Sequence, residues 1–239
     1  MKTGTEKRVL EVSDLKYSYE KGHQVLKGVT FDVNAGENIG LIGANGVGKS
    51  TLLKLLVGLD LHFEGTIHVS GHSMSRDSLT HIREHIGYVF QDSDSQLFMS
   101  TVEEDVAFGP RNYGMSETDV EKRVADALER VHITNLRKKQ VYKLSGGEKK
   151  LAAIATILAM EPDLILMDEP SVALDPRNRR NLISVLGEIP GTKLIASHDL
   201  DFIVKTCSRT ILMYDGVVRA DGPTKDILEN AQLLEECGL

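Results

Sequence analysis

The chain has 239 residues, with 28 Lys and Arg against 35 Asp and Glu, a formal net charge of −7, and 41% hydrophobic residues. That length suits one large α/β domain with an ample core, and the acidity argues against a nucleic-acid binder, which usually presents a basic face. Cys207 and Cys237 give neither a metal-ligand spacing nor a disulfide framework, so a reducing cytosolic setting fits best. Residues Met1 to Arg8 lack the apolar core of a signal peptide. The longest apolar run, Leu151 to Met160, falls short of the roughly 20 residues that span a bilayer. The composition predicts a soluble protein, or one attached to a membrane through a partner.

In chain order, Val9 to Tyr19 and Gln24 to Val33 read as antiparallel strands joined near Lys21-Gly22. Asn38 to Ile42 reads as a buried strand and Thr51 to Val57 as a helix. Thr66 to Val69 and Ile86 to Phe90 are further strands. From about Thr101 to Met160 the pattern is helical. Within it, Val120, Val124, Ala127, Leu128 and Val131 fall at helical spacing among charges. Leu164 to Met167 is a short apolar strand, Asn178 to Leu186 a helix, and Lys193 to Ala196 a strand. Thr210 to Tyr214 and Val217 to Ala220 flank Asp215-Gly216, a two-residue hairpin signal. Residues 224 to 236 read as a closing helix. This alternation predicts an α/β fold with a mostly parallel core sheet, covered on both faces. The early and late antiparallel strands would form a small β layer at its edge. Residues 1–239 would be a single domain, with a separate helical lobe over roughly 92–160.

Three local patterns carry chemistry. Gly43-Ala44-Asn45-Gly46-Val47-Gly48-Lys49-Ser50 joins the buried strand to its helix, and it fits the phosphate-cradling loop. A tight glycine turn aims backbone N–H groups into one concavity, and the helix N-terminus adds its positive dipole end. Lys49 supplies charge to the outer phosphates, and Ser50 is placed to ligate Mg²⁺. Nucleoside triphosphate binding follows, although phosphate binding alone names no reaction. The strand Leu164 to Met167 delivers Asp168-Glu169 at its end, and it is too apolar to be a surface strand. Asp168 would hold the metal, directly or through water, leaving Glu169 to take a proton from an attacking water. Third, Leu144-Ser145-Gly146-Gly147-Glu148 opens a helix. Ser145 and Glu148 fit a capping box. Gly146 and Gly147 are a poor choice for helix stability, and make sense if the backbone must approach another molecule closely. With the Ser145 hydroxyl, their N–H groups would form a second anion site.

With these motifs in this order, the chain resembles the ATP-binding cassette (ABC) ATPases over essentially its whole length. GANGVGKST resembles the family's phosphate loop, including Thr51, LSGGE its signature, and LILMDEP its metal-carboxylate strand. Gln91 resembles the Q-loop glutamine, Asp175 the D-loop residue at the interface, and His198 the switch histidine. Tyr19 resembles the aromatic that stacks on adenine, with Tyr17 as its competitor by strand alternation. The resemblance implies a head-to-tail dimer with ATP held between the phosphate loop of one chain and the signature of the other. It makes Glu169 the general base, brings His198 to the γ-phosphate, and has Gln91 sense Mg²⁺ and relay to a partner. With one phosphate loop and one signature, the chain needs a second ATPase chain.

The segment Phe90 to Pro110 resembles the cobalt/nickel and vitamin uptake branch, the energy-coupling factor importers, where it lies near the membrane subunit. A helix entry capped by Thr101 and led by Glu103-Glu104-Asp105 would also explain part of it. The short stretch after the last predicted hairpin favours a homodimer over a heterodimer, as in metal-type systems. The resemblance thus implies integral membrane partners, no nucleic acid, and a peripheral location on the cytoplasmic face of the cell membrane. Two features depart from the family pattern. Glu148 stands where the commonest signature has Gln, and Lys149-Lys150-Leu151 replaces a polar-plus-Arg run. A carboxylate near a triphosphate costs energy unless it turns away, and the capping box gives it a way to do so. His62, His68, His72, His81 and His85 crowd one region, yet no carboxylate or Cys framework completes a metal site there. Two other functions fit the chain less well. Soluble ABC proteins of DNA repair or translation usually carry two cassettes or a long coiled-coil insertion, neither of which is seen here. A small-molecule kinase has no use for LSGGE.

Overall fold

A computed structural model describes residues 7–20 and 22–239, with the side chain of Glu20 left aside. Lys21, in the expected first turn, lies outside the described residues. The strands β1 (Arg8–Glu20) and β2 (His23–Asn34) pair antiparallel. Next come β3 (Asn38–Ile42), α1 (Lys49–Leu56), β4 (Glu64–Val69), β5 (His72–Ser73) and α2 (Leu79–His85). The middle of the chain holds β6 (Ile86–Val89), α3 (Val102–Asn112), α4 (Glu117–Arg130) and α5 (Gly146–Leu158). It continues with β7 (Leu164–Asp168), α6 (Pro176–Glu188), β8 (Thr192–Ala196) and α7 (Leu200–Thr206). The hairpin β9 (Arg209–Tyr214) and β10 (Val217–Pro223) precedes α8 (Thr224–Leu228) and α9 (Ala231–Glu236).

Two sheets result. One is antiparallel, in the order β2-β1-β4-β5, and the other is six-stranded, in the order β10-β9-β3-β8-β7-β6. In the second, β3 and β6 to β9 run parallel and only β10 is antiparallel. The expected small β layer is therefore divided. The early strands recruit β4 and β5 into their own sheet, while the late hairpin extends the core sheet.

Parallel strands buried on both faces read as continuous apolar runs, and successive residues serve different cores. Leu164 and Leu166 face one core, shared with α1 and the antiparallel sheet. Ile165 and Met167 face the other, shared with Val102, Val106, Val124 and Ile154 of the helical stretch. Among the described residues, the helical stretch thus shares its core with the sheet. The turn between β9 and β10 has Asp215 at φ 47° and Gly216 at φ 76°, the left-handed pair that a two-residue hairpin needs. The expected helix over 224–236 is broken, because Asn230 accepts a hydrogen bond from Leu233 N and starts α9 afresh.

Candidate active site

The carboxyl ends of β3, β6, β7 and β8 lie side by side in the core sheet, so the loops leaving them share one edge. The glycine turn leaves β3. Gly43, Gly46 and Gly48 take φ of 148°, 82° and 109°, a backbone path that other residues rarely adopt. At Gly43 a Cβ would also come within 2.5 Å of the Met213 carbonyl oxygen. Gly48 is the N-cap of α1, and no side chain caps that helix, leaving its first N–H groups available to an anion. Lys49 is buried, and its Nζ donates to the carbonyl oxygens of Gly43 at 2.6 Å and Ala44 at 3.3 Å. Burial pulls its pKa below the ordinary lysine value, and Glu169 and Asp168 pull it back up.

Asp168 ends β7. Its Oδ1 accepts from Ser50 Oγ at 2.9 Å and its Oδ2 from the Tyr88 hydroxyl at 3.1 Å. Burial beside that carboxylate holds the Tyr88 phenol protonated well beyond its usual range. A hydroxyl and a carboxylate this close are the oxygen donors a hard cation takes, so Ser50 and Asp168 fit Mg²⁺. Glu169 adopts φ 46°, a left-handed conformation for a non-glycine residue, and its N–H donates to Ala196 O at 2.9 Å. The turn aims its carboxylate at the end of β8. There it accepts from Ser197 Oγ at 3.2 Å, from His198 N at 3.1 Å and from His198 Nδ1 at 2.9 Å. The His198 ring itself is half-exposed, with its other nitrogen free of a partner among the described residues.

A cleft of about 510 Å³ gathers Tyr19, Asn45, Gly46, Gly48, Lys49, Ser50, Thr51, Gln91, Glu169 and His198. Alternation separates the two tyrosines of β1. Tyr17 is 6% exposed with its hydroxyl on Asp60, whereas Tyr19 is 59% exposed with its hydroxyl 2.9 Å from Thr51 Oγ1. Gly43 and Val47 shape the loop from outside the cleft's lining. None of Ser145, Gly146, Gly147 and Glu148 lines it. Gly146 instead borders a neighbouring cleft of about 180 Å³ with Gln91, Asp92, Lys149, Lys150 and Val172 to Leu174.

The signature turn is set by its own side chains. Ser145 Oγ accepts from Glu148 N at 3.3 Å, and a Glu148 carboxylate oxygen accepts from Ser145 N at 2.7 Å. Both Glu148 oxygens also lie 3.0 Å from Lys139 Nζ. The Ser145 N–H, followed by Lys139, holds the Glu148 carboxyl below the ordinary carboxylate range. The two glycines differ. A Cβ at Gly147 would meet the Asn178 side chain at 2.4 Å, but one at Gly146 would meet nothing within 4 Å. Close approach within the chain thus accounts for Gly147, and only Gly146 is open to an outside molecule. Asp175 caps α6, accepting from Arg177 N at 2.8 Å and Asn178 N at 2.9 Å.

Sequence reasoning missed several of these partners. Tyr88 lies on a recognised strand, and Ser197 precedes the switch-like histidine, but neither position advertises a partner far along the chain. Lys139 had no local signal, and Lys150, though marked as a departure from the family pattern, gave no sign of its partners. Among the histidines, His81 Nε2 lies 2.9 Å from His72 Nε2, and His85 Nδ1 lies 2.9 Å from Asp163. Among the described residues, no group of three or more such side chains is arranged to hold a metal ion.

A phosphate loop with a lysine, a hydroxyl–carboxylate pair and a second carboxylate held at the adjacent strand end together define a P-loop nucleoside triphosphatase. The sequence model of the ABC transporter family matches residues 26–172. A Geobacter sulfurreducens protein described as a candidate ABC transporter ATP-binding protein is 48% identical, covering 97% of this chain and 93% of that one. The energy-coupling factor transporter ATP-binding protein EcfA of Methanothermobacter thermautotrophicus is 41% identical, over 97% of this chain and 76% of that one. Among solved structures, Clostridium perfringens CbiO1, part of an ABC transporter complex, superposes with a TM-score of 0.87. It is 36% identical, over 97% of this chain and 94% of that one. The chain belongs to the ABC transporter family, as its ATP-hydrolysing, ATP-binding subunit.

Proposed function

We propose that this chain drives an importer of the energy-coupling factor type, moving cobalt, nickel or a vitamin, as a head-to-tail dimer around two ATP molecules. Residues 1–239 would act as one ATPase domain, with the helices in roughly 92–160 as the part that faces its partners. The relatives named for energy-coupling factor transport, and the similarity to CbiO1, support the branch.

The chemistry follows from where the side chains lie. Lys49 and the N–H groups of Gly46 to Thr51 would hold the phosphates, with Tyr19 against the adenine. Mg²⁺, held by Ser50, Asp168 and Gln91, would supply charge neutralisation at the phosphates. Glu169 is one residue beyond the metal carboxylate and accepts from His198, which fixes its direction. It would take the proton of the attacking water, and His198 would contact the γ-phosphate. Ser145, Gly146, Gly147 and Glu148 would act on the partner chain's ATP, with Asp175 at the interface. The single observation carrying this reading is that Lys49, Ser50, Gln91, Glu169 and His198 share one cleft that the signature turn does not enter. A second chain, more readily an identical copy than a different one, would supply the missing wall.

Among the described residues, no helix is long and apolar enough to cross a membrane. Integral membrane subunits would hold the dimer at the cytoplasmic face of the cell membrane, and so acidic a chain would have no nucleic-acid partner. Glu169→Gln tests the reading. It should bind ATP as tightly as the parent, slow hydrolysis roughly 10²–10⁴-fold, and run as an ATP-dependent dimer in size-exclusion chromatography. Near-normal turnover would remove Glu169 from the base role.

A further inference from the structure

Lys150 lies in the second turn of α5, and it is 3% exposed. A buried ammonium normally has a carboxylate partner. Here the Nζ donates instead to two backbone carbonyl oxygens, Phe90 O at 3.0 Å and Gln91 O at 2.9 Å. A charge held at such a cost implies a positional role, because an apolar side chain of similar size would be neutral or stabilising.

The contacts around it point the same way. Lys149 pairs with Asp94. Gln96 accepts from Phe90 N at 3.1 Å and donates to Ala153 O at 2.8 Å and Thr156 Oγ1 at 2.9 Å. The segment after β6 is thus fastened to α5 at its N-terminal turns and again near its middle. One end of this assembly is Gln91, in the ATP cleft, and the other is Ser145-Gly146, the first turn of α5.

We infer that Lys150 is a positioning residue that locks the Gln91 segment to the signature helix, so that the two move as one body. A displacement of Gln91 at a chain's own nucleotide is then delivered to the signature turn it offers to its partner. This rests on the proposed dimer for its consequence, but not for its geometry.

The test compares Lys150→Met and Lys150→Arg with the parent, using the whole chain. Met fills the same volume without donors, and Arg keeps charge and donors. Hydrogen–deuterium exchange without nucleotide should show the peptides over 90–97 and the first turn of α5 exchanging roughly 10-fold faster in Lys150→Met, with α1 and β3 unchanged. In ATPase assays kcat should fall roughly 10-fold with KM for ATP within about twofold, and Lys150→Arg should recover part of both losses. Parent-like exchange at both segments in Lys150→Met overturns the inference. So does faster exchange spread evenly over the fold, which marks a packing role. The exchange measurement needs neither ATP nor a dimer, so a parent chain that failed to hydrolyse ATP would sink the proposed function and leave this result readable.

Discussion

The carboxylate of Glu148 has two partners, the Ser145 N–H and the Lys139 ammonium. Glu148→Gln keeps the first contact and loses the charge-assisted second. Because both side chains of the ion pair are about one-third exposed, the loss in stability should be about 1 kcal/mol or less. The sign with pH is fixed by the direction of the shift. A carboxyl whose folded pKa lies below its unfolded value adds stability above the unfolded pKa and loses it as pH falls through the folded one. The gap in melting temperature between parent and variant should therefore be full near neutrality and close in acid, below the ordinary carboxylate range. A gap unchanged down to the acid limit of folding would show that the carboxylate's charge plays no part. With the charge removed, half-maximal ATP-driven dimerisation should need no more ATP than before, and a large rise would mean a productive contact across the interface. The capping box was legible in the sequence because it is local, Ser then Glu three residues on. Lys139 was not, because its pairing depends on how the chain before α5 folds back.

Gly146 and Gly147 begin α5 together, yet the helix uses them differently. Gly147→Ala would drive a Cβ into Asn178 of α6 and should destabilise the fold by roughly 1–3 kcal/mol. Gly146→Ala meets open space and should leave the monomer as stable, or more stable by up to about 0.5–1 kcal/mol. If the signature approaches a partner's nucleotide, the same variant should lose ATP-driven dimerisation. Thermal melts and size-exclusion runs on both variants separate the cases, and unimpaired dimerisation of Gly146→Ala would contradict the close approach. At this scale the sequence was most readable where periodicity was long or a turn was specific, as in α4 and the Asp215-Gly216 hairpin. It was least readable in short elements. The strand β5 has two residues and the helices α2 and α7 seven each, too few to show a period. The break between α8 and α9 rests on one Asn side chain that also fits a helix interior.

Across the whole molecule, the parallel sheet places the ends of four strands on one edge, and the cleft that gathers Lys49, Gln91, Glu169 and His198 is the consequence. The order of the motifs along the chain was legible because each is compact. The order of strands in space was not, since β3 sits between β8 and β9 through crossovers that no local residue records. The Ser145–Glu148 turn lies outside the cleft of its own chain. The central claim is that each working site combines two chains, and mixing two dead variants tests it most directly. Lys49→Ala removes the phosphate lysine and Ser145→Arg blocks the signature, so each alone should be inactive. In a mixture, a heterodimer retains one site with an intact phosphate loop facing an intact signature. ATPase activity should return, at up to about half the parent's rate per heterodimer. A mixture that stays inactive, with both variants folded and able to associate, would contradict the shared site.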